Sequence, residues 1–199
     1  MSQVVQTHFE KQLTDISLQF KANSLRVVEL FKGVHHHQLN LRVETGTWSI
    51  VECIVHLNLF SEEFIPIIHT ACDQARAKGW TADGPFKMDF VGKVLKFALE
   101  PPSRWKAVTR SQFEPTMVEP LSEVAPRFYE LQTELIESVR SASDLDLNRI
   151  KIASPVSGRV RYNLYSCLLI IGAHQRRHLW QAEEARSILF RNDGRNLFS

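Results

Sequence analysis

The stretch LYSCLLIIGAHQRRHLWQ, residues 164–181, decides how the rest of the sequence is interpreted. Apolar residues recur in its first half with helical spacing: Leu164, Cys167 and Ile171. The same spacing leads on to His174 and His178, so both imidazoles fall on the apolar face of the helix. The pattern predicts a long helix from about Tyr162 to Leu189, with the two histidines directed into the protein interior.

Three further stretches carry the same periodicity. The first ends near Gly33 and has apolar residues at Phe9, Leu13, Ile16, Phe20, Val27 and Phe31. The second begins with a capping-box pattern at Ser49 and Glu52, and its stripe comprises Cys53, His56, Leu57, Phe60, Phe64, Ile67 and Ile68. The stripe of the third comprises Leu121, Val124, Phe128, Leu131, Leu135 and Val139. We expect Pro126 to be tolerated there only in the first turn.

The connections between these helices complete the predicted fold. Residues 35–47, HHHQLNLRVETGT, are interpreted as a polar loop. From about residue 79 to residue 120, glycines and prolines leave room for one short helix, around FVGKVLKFAL at 90–99. No internal repeat or strand ladder is recognisable. The sequence therefore predicts an all-α fold: a four-helix bundle with one long crossover between the second and third helices, in a single domain over residues 1–199.

Composition and short motifs argue against several classes of protein. Lys and Arg number 24 and Asp and Glu 22, so bulk charge indicates neither a nucleic acid nor a membrane as partner. The first residues show no secretory signal pattern, and we expect a cytoplasmic protein. The 3 cysteines form no CxxC pair and are interpreted as reduced thiols. The sequence contains no GxSxG motif, P-loop or dinucleotide-binding fingerprint.

The spacing of the two histidines permits, but does not require, a metal site. Residues four apart on a helix lie one turn apart on the same face, so His174 and His178 can bind one ion. His56 adds a third imidazole on the apolar face of the second helix. Burying an imidazole without partners costs on the order of 1–3 kcal/mol, which a shared divalent ion would remove. The residues alone leave metal binding and ordinary buried histidines as equal alternatives, and do not determine how the second and fourth helices lie relative to each other.

Two motifs resemble the DinB/YfiT-like superfamily of four-helix-bundle proteins. In TWSIVECIVHL, at 47–57, the matching residues are Trp48, Ser49, Glu52, His56 and Leu57. In AHQRRHLWQ, at 173–181, they are His174, His178 and Gln181, which correspond to a closing HxxxH followed by Gln. The stretch between, SPVSGRVRYNLYSCLLIIGAH at 154–174, resembles the loop and helix that carry this pair. Residues 79–120 follow no pattern of the family.

The resemblance implies a divalent metal ion, commonly nickel or zinc, held by His56, His174 and His178 on adjoining helices. Three protein ligands leave positions open to water or substrate, as in catalytic rather than structural sites. Characterised members of the family include bacillithiol-dependent S-transferases and mycothiol-dependent maleylpyruvate isomerases. The resemblance thus implies a metal-dependent transferase or hydrolase that acts on a small molecule with a low-molecular-weight thiol. The alternative is a non-catalytic metal- or ligand-binding protein of a stress response; many members of the family dimerise, which implies a homodimer in either case.

Two polar residues near the histidines have two interpretations each. Glu52 lies one turn before His56 and can accept a hydrogen bond from its second ring nitrogen, but we favour its capping role. Gln181 lies one turn after His178, where it can contact a water on the metal or join helix ends.

Four further residues close to the histidine motifs also need an interpretation. Arg177, with Arg176, can bind an anionic substrate, although we favour surface pairing of these arginines with Glu183 or Glu184. Cys53 and Cys167 share the histidine stripes and are interpreted as inert packing rather than as a fourth ligand.

Overall fold

The computed structural model describes residues 8–102, 110–115 and 120–196, and this part of the chain is mostly helical. Its α-helices are α1 (His8–Phe31), α2 (His36–Leu39), α3 (Ile50–Ala77), α4 (Phe90–Leu99), α5 (Leu121–Ser141) and α6 (Leu164–Asn196). A 3-10 helix spans Ser111–Phe113. The four predicted long helices correspond to α1, α3, α5 and α6, and the short helix predicted in the crossover is α4, so the all-α prediction is confirmed. The side chain of Phe9 and parts of the predicted crossover, residues 103–109 and 116–119, lie outside the described residues.

The long helices enclose two apolar clusters, one at each end. The hairpin-side core takes Leu13–Phe20 of α1, Phe60–Ala75 of α3, Leu131–Val139 of α5 and Leu164–Ile171 of α6. The α2-side core takes Val27–Leu30, Ile50–Leu57, Val124–Phe128 and Leu179–Ala185 of the same helices. Following each helix from one core to the other shows that α1 and α6 run in one direction and that α3 and α5 run in the opposite one. Each of α1 and α3 packs against both α5 and α6.

The start of α3 follows the predicted capping box. The Ser49 hydroxyl accepts a hydrogen bond from the Glu52 amide at 3.1 Å, and the Glu52 carboxylate accepts one from the Ser49 amide at 2.8 Å. These two bonds satisfy amides that a helix start otherwise leaves without partners. The capping box therefore fixes the first turn of α3, one turn before His56.

Pro126 contradicts the expectation that proline would lie in the first turn of its helix. Helix α5 begins at Leu121, which places Pro126 in the second turn, where it cannot donate to the carbonyl of Ser122. Both residues are exposed, so water can bond to that carbonyl. The prediction was wrong because it treated the lost hydrogen bond as prohibitive even on a solvated helix face.

Short regular elements appear where the sequence predicted none. Residues 36–39 of the predicted polar loop form α2, which buries Leu39. Strands β1 (Lys151–Ala153) and β2 (Arg161–Asn163) form an antiparallel hairpin that pairs Ile152 with Tyr162. Tyr162 was predicted to begin the last helix, but it lies in β2 and is buried. Strands of three residues are too short to show a recognisable alternation of polar and apolar positions.

The start of helix α4 is held against the rest of the protein by one carboxylate. Asp89 precedes α4 and accepts hydrogen bonds from the Gly92 amide, the Asn163 amide, the Ser166 hydroxyl and the Lys151 ammonium group. These partners belong to α4, the hairpin and α6, so Asp89 joins three elements. The C-terminal end of α4 is joined to α6 by the ion pair between Glu100 and Arg176.

Among the described residues, none of the helices combines the length and the apolar character that crossing a bilayer requires.

Candidate metal centre

His56, His174 and His178 converge between α3 and α6. The Nε2 atoms of His56 and His174 lie 3.1 Å apart, and the ring centre of His178 lies 4.3 Å from that of His56 and 4.6 Å from that of His174. One ring nitrogen of each residue lies within 4.8 Å of the others. The predicted convergence is therefore confirmed. It occurs although α3 and α6 are antiparallel, because α6 is longer and its middle lies beside the start of α3.

The three imidazoles lie in largely aromatic surroundings. Their relative exposures are 4%, 6% and 8% for His56, His174 and His178. The Phe60 ring stacks on His174 with ring centres 3.8 Å apart, and the Trp48 ring stacks on His178 at 5.5 Å. These rings keep water away from the histidines and restrict their orientations.

A backbone carbonyl of the crossover determines which ring nitrogen of His56 is available to bind a metal ion. The Nδ1 atom of His56 lies 2.7 Å from the backbone carbonyl of Phe113, which can only accept a hydrogen bond. Nδ1 therefore carries the proton and Nε2 carries the lone pair directed toward the other two rings. Sequence reasoning missed Phe113, since a backbone carbonyl leaves no signal in residue identity and the 3-10 helix around it has no family pattern.

Burial keeps the three histidines neutral. It lowers the pKa of His56 to about 4, and this effect exceeds the opposing influence of the Phe113 carbonyl. Burial, followed by the neighbouring imidazoles and the charge of Arg177, holds the pKa values of His174 and His178 well below the usual range. At neutral pH all three rings are in the form that can donate a lone pair to a metal.

The geometry and the donor set fit a divalent transition metal. Two imidazoles on a tetrahedral zinc ion, with bonds of 2.0–2.1 Å, place their nitrogens about 3.3 Å apart, close to the observed Nε2 separation. Three neutral imidazoles suit zinc, nickel, copper and iron better than calcium or magnesium, which prefer oxygen. Among the described residues, no other group of three or more histidine, cysteine or acidic side chains brings its ligand atoms within 4.8 Å of one another.

Of the two polar residues predicted to lie near the histidines, Gln181 interacts with the cluster and Glu52 does not. The Glu52 carboxylate is bound by the Ser49 amide and by the Arg42 guanidinium, whose Nη2 lies 2.5 Å away, while the second nitrogen of His56 is bound by Phe113. The side chain of Gln181 interacts with His178, and this interaction partly offsets the lowering of the pKa of His178 by burial. Gln181 therefore contacts the histidine cluster directly.

The two arginines of the motif have separate environments, and the favoured surface pairing with Glu183 or Glu184 was wrong. Arg176 pairs with Glu100, while Glu183 pairs with Arg26. Arg177 is only 5% exposed and donates a hydrogen bond of 3.2 Å to the Ala98 carbonyl near the end of α4. A buried guanidinium therefore lies beside the histidines.

The cysteines do not extend the site. Cys53, Cys72 and Cys167 are buried free thiols. Burial raises the pKa of Cys53 to about 12 and that of Cys72 to about 11, and it raises the pKa of Cys167 further. Metal ligation and nucleophilic attack both require a thiolate, which these environments disfavour.

We expect the metal-free protein to lose stability as the pH falls from about 6.5 toward 4. Above this pH range the histidines are neutral in both the folded and the unfolded state. Within the range, the histidines of the unfolded chain bind protons, whereas the buried histidines of the folded chain do not. With a folded pKa of about 4, His56 alone corresponds to a loss on the order of 3 kcal/mol at the acid end. Urea unfolding at several pH values measures this loss. The His56→Gln variant separates it from carboxylate titration, and an equal pH slope in variant and wild type would refute the prediction.

Comparison with known proteins gives the family. A family model described as the DinB superfamily matches residues 19–182, well over half of the chain, and this range includes all three histidines. No curated protein and no solved structure matches the chain. The motifs that resembled this family in the sequence are those that form the histidine cluster in the structure. The chain therefore belongs to the DinB superfamily.

Proposed function

We propose that this protein is a four-helix-bundle metalloenzyme in which His56, His174 and His178 hold nickel or zinc, and that it is a transferase or hydrolase. Its proposed substrate is a small molecule, with a low-molecular-weight thiol as co-substrate. One observation carries the proposal: three neutral imidazoles from distant parts of the chain converge in a site largely closed to water. Membership of the DinB superfamily supports the same assignment.

The residues of the site have separate roles in this proposal. The three imidazoles bind the ion, the Phe113 carbonyl orients His56, and Trp48 and Phe60 exclude water. A bound divalent ion would act as a Lewis acid that lowers the pKa of a coordinated water or thiol. Because all three ligands are neutral, they leave the charge of the ion uncompensated. An anionic ligand such as a thiolate or hydroxide is therefore favoured at the open coordination positions, and Arg177 beside them favours it further.

A second candidate function is binding of a metal or small ligand without turnover. The low exposure of the histidines favours it, since a substrate must reach the ion for catalysis. In this function the protein would act as a binding module of a stress response, and a homodimer is proposed in both cases.

We expect turnover to depend on both the metal and His178. Protein purified without a nickel column would be stripped and then loaded with zinc or nickel. Consumption of cysteine or glutathione would then be followed in the presence of an electrophilic aryl halide. Loaded wild type should consume thiol faster than stripped protein and faster than loaded His178→Ala.

The same assay distinguishes the two functions. Binding of one ion per chain without thiol consumption would favour the non-catalytic candidate. Equal consumption by all three preparations would contradict the enzymatic proposal, because neither the metal nor the histidines would then take part.

A further inference from the structure

Each of the four long helices carries one buried amide side chain where the two apolar cores meet. We call Asn23 of α1, Asn58 of α3, Gln132 of α5 and Gln175 of α6 the amide layer. Their relative exposures are 3%, 5%, 2% and 0%. On every helix the amide lies at or beside the change from the hairpin-side core to the α2-side core. His174 precedes Gln175 and His56 lies two residues before Asn58, so the layer and the histidine cluster occupy the same level.

Only some of the amide nitrogen and oxygen atoms in the amide layer form hydrogen bonds with other protein atoms. Asn23 donates to the Gln175 carbonyl oxygen at 2.7 Å, and Asn58 donates to the backbone carbonyl of Val124 at 3.0 Å. Buried atoms at this level without a hydrogen-bond partner are Asn58 Oδ1, Gln132 Oε1, Gln132 Nε2, Gln175 Nε2, His174 Nδ1 and His178 Nδ1. Elsewhere in the described chain the only such side-chain atom is Arg186 Nε. Buried polar atoms without hydrogen bonds are therefore concentrated at the level of the histidines along the helices.

The buried polar atoms that lack a protein partner need other hydrogen-bond partners, because leaving them unsatisfied is energetically costly. A buried polar atom without a hydrogen bond costs about 1–3 kcal/mol, and several of them would cancel a net stability of about 5–15 kcal/mol. Both donors and acceptors remain, so they can be satisfied together by molecules that donate and accept. Buried water meets this requirement and typically makes about three hydrogen bonds.

We propose that the amide layer binds a cluster of ordered water molecules between the four long helices, and that this cluster accepts hydrogen bonds from Nδ1 of His174 and His178. The second part rests on the proposed metal function. His56 has the Phe113 carbonyl as acceptor for its second nitrogen, whereas His174 and His178 have no protein acceptor at Nδ1. Metal-binding histidines generally donate their other N–H to such an acceptor, which fixes the ring orientation. Gln132 is buried and neither of its amide atoms has a protein partner, so in this proposal it holds waters of the cluster and is a positioning residue for the metal site.

The test uses Gln132→Leu, which preserves most of the side-chain volume and removes both polar atoms. A high-resolution crystal structure of metal-free wild type should show ordered waters bonded to Gln132 and Asn58. We expect zinc affinity, measured by competition with a chromophoric chelator, to fall about 10–100-fold in Gln132→Leu, as for loss of other outer partners of metal ligands. The thermal midpoint of the metal-free variant should not fall, because leucine needs no hydrogen bond.

Two variants control the affinity measurement. Ser138→Ala removes another buried polar group of α5, one that bonds to His69 and lies outside the amide layer, and should leave zinc affinity unchanged. Gln132→Glu keeps an acceptor oxygen and should bind zinc at least as well as wild type. Absence of ordered water at Gln132, or unchanged zinc affinity in Gln132→Leu, would overturn the inference. If wild type binds no zinc, the metal function fails, and the structure of the metal-free protein still tests the water cluster.

Discussion

Replacing His178 by alanine is expected to abolish specific binding of one divalent ion per chain. The variant removes one of three ligands, and the remaining pair has no other histidine, cysteine or acidic group placed to substitute for it among the described residues. Loss of an outer partner of a metal ligand weakens binding by about 10–100-fold, so loss of a ligand itself should exceed the upper value. The measurements are metal content by mass spectrometry after dialysis and zinc competition titration.

Thermal unfolding gives a second measurement of the same substitution. A ligand that binds only the folded state stabilises it by about 4 kcal/mol at a thousandfold excess over its dissociation constant. Zinc should therefore raise the unfolding midpoint of wild type and leave that of His178→Ala almost unchanged. This difference does not depend on any catalytic activity.

Two controls make the result specific to the histidine cluster. His69 lies on α3, like His56, but is exposed and bonds to Ser138, so His69→Ala should retain the ion. The exposed residues His36 and His37 can bind metal adventitiously, and both variants are therefore made with these two replaced by glutamine. Retention of one ion per chain by His178→Ala in that background would refute the three-histidine site.

The sequence predicted those features that depend on local spacing. The stripe that ends in His174 and His178 predicted both α6 and the inward direction of the imidazoles, because helical periodicity determines which residues share a face. Ser49 and Glu52 predicted the start of α3 for a similar reason, since the capping box is a contact between residues three apart. His56 could be placed on an apolar face in the same way.

Features that depend on long-range packing could not be predicted from those patterns. The antiparallel packing of α3 against α6 is set by the connections and cores of the whole chain. The Phe113 carbonyl reaches His56 across 57 positions of sequence. Arg176 pairs with Glu100 of the crossover, whereas helical spacing had suggested a partner on its own helix. In each case the deciding contact joins segments whose relative placement no local pattern encodes.

Gly92→Ala is expected to destabilise the protein although alanine is the better helix former. At an ordinary helical position this substitution stabilises by about 1 kcal/mol. A Cβ at Gly92, however, would lie closer than 3.0 Å to both Oγ and Cβ of Ser166. Ser166 is fully buried on α6, and its Cβ cannot move without moving the α6 backbone. Overpacking of this kind costs about 1–3 kcal/mol, and occasionally more, so the clash should outweigh the gain in helix propensity.

The Gly92→Ala substitution should disturb more than the contact between residue 92 and Ser166. Relieving the clash requires α4 to move away from α6, which would strain the hydrogen bonds of Asp89 to Gly92 and Ser166 and the bond from Arg177 to Ala98. Calorimetry should show a lower midpoint, by about 2–4 °C for each kcal/mol lost in a chain of this size. Zinc affinity should also fall, since Arg177 and the crossover adjoin the histidines.

A second glycine and a compensating substitution provide the controls. At Gly172 of α6 an added Cβ would meet only the side-chain ends of Gln19 and Arg176, at 3.2 and 3.4 Å, and these flexible groups can adjust. Gly172→Ala should therefore be neutral or stabilising. Ser166→Gly removes both atoms of the clash, so the double variant Gly92→Ala/Ser166→Gly should be more stable than the sum of the single effects predicts. If Gly92→Ala is as stable as Gly172→Ala, or if the two substitutions are additive, close contact between α4 and α6 is not what holds the crossover beside the metal site.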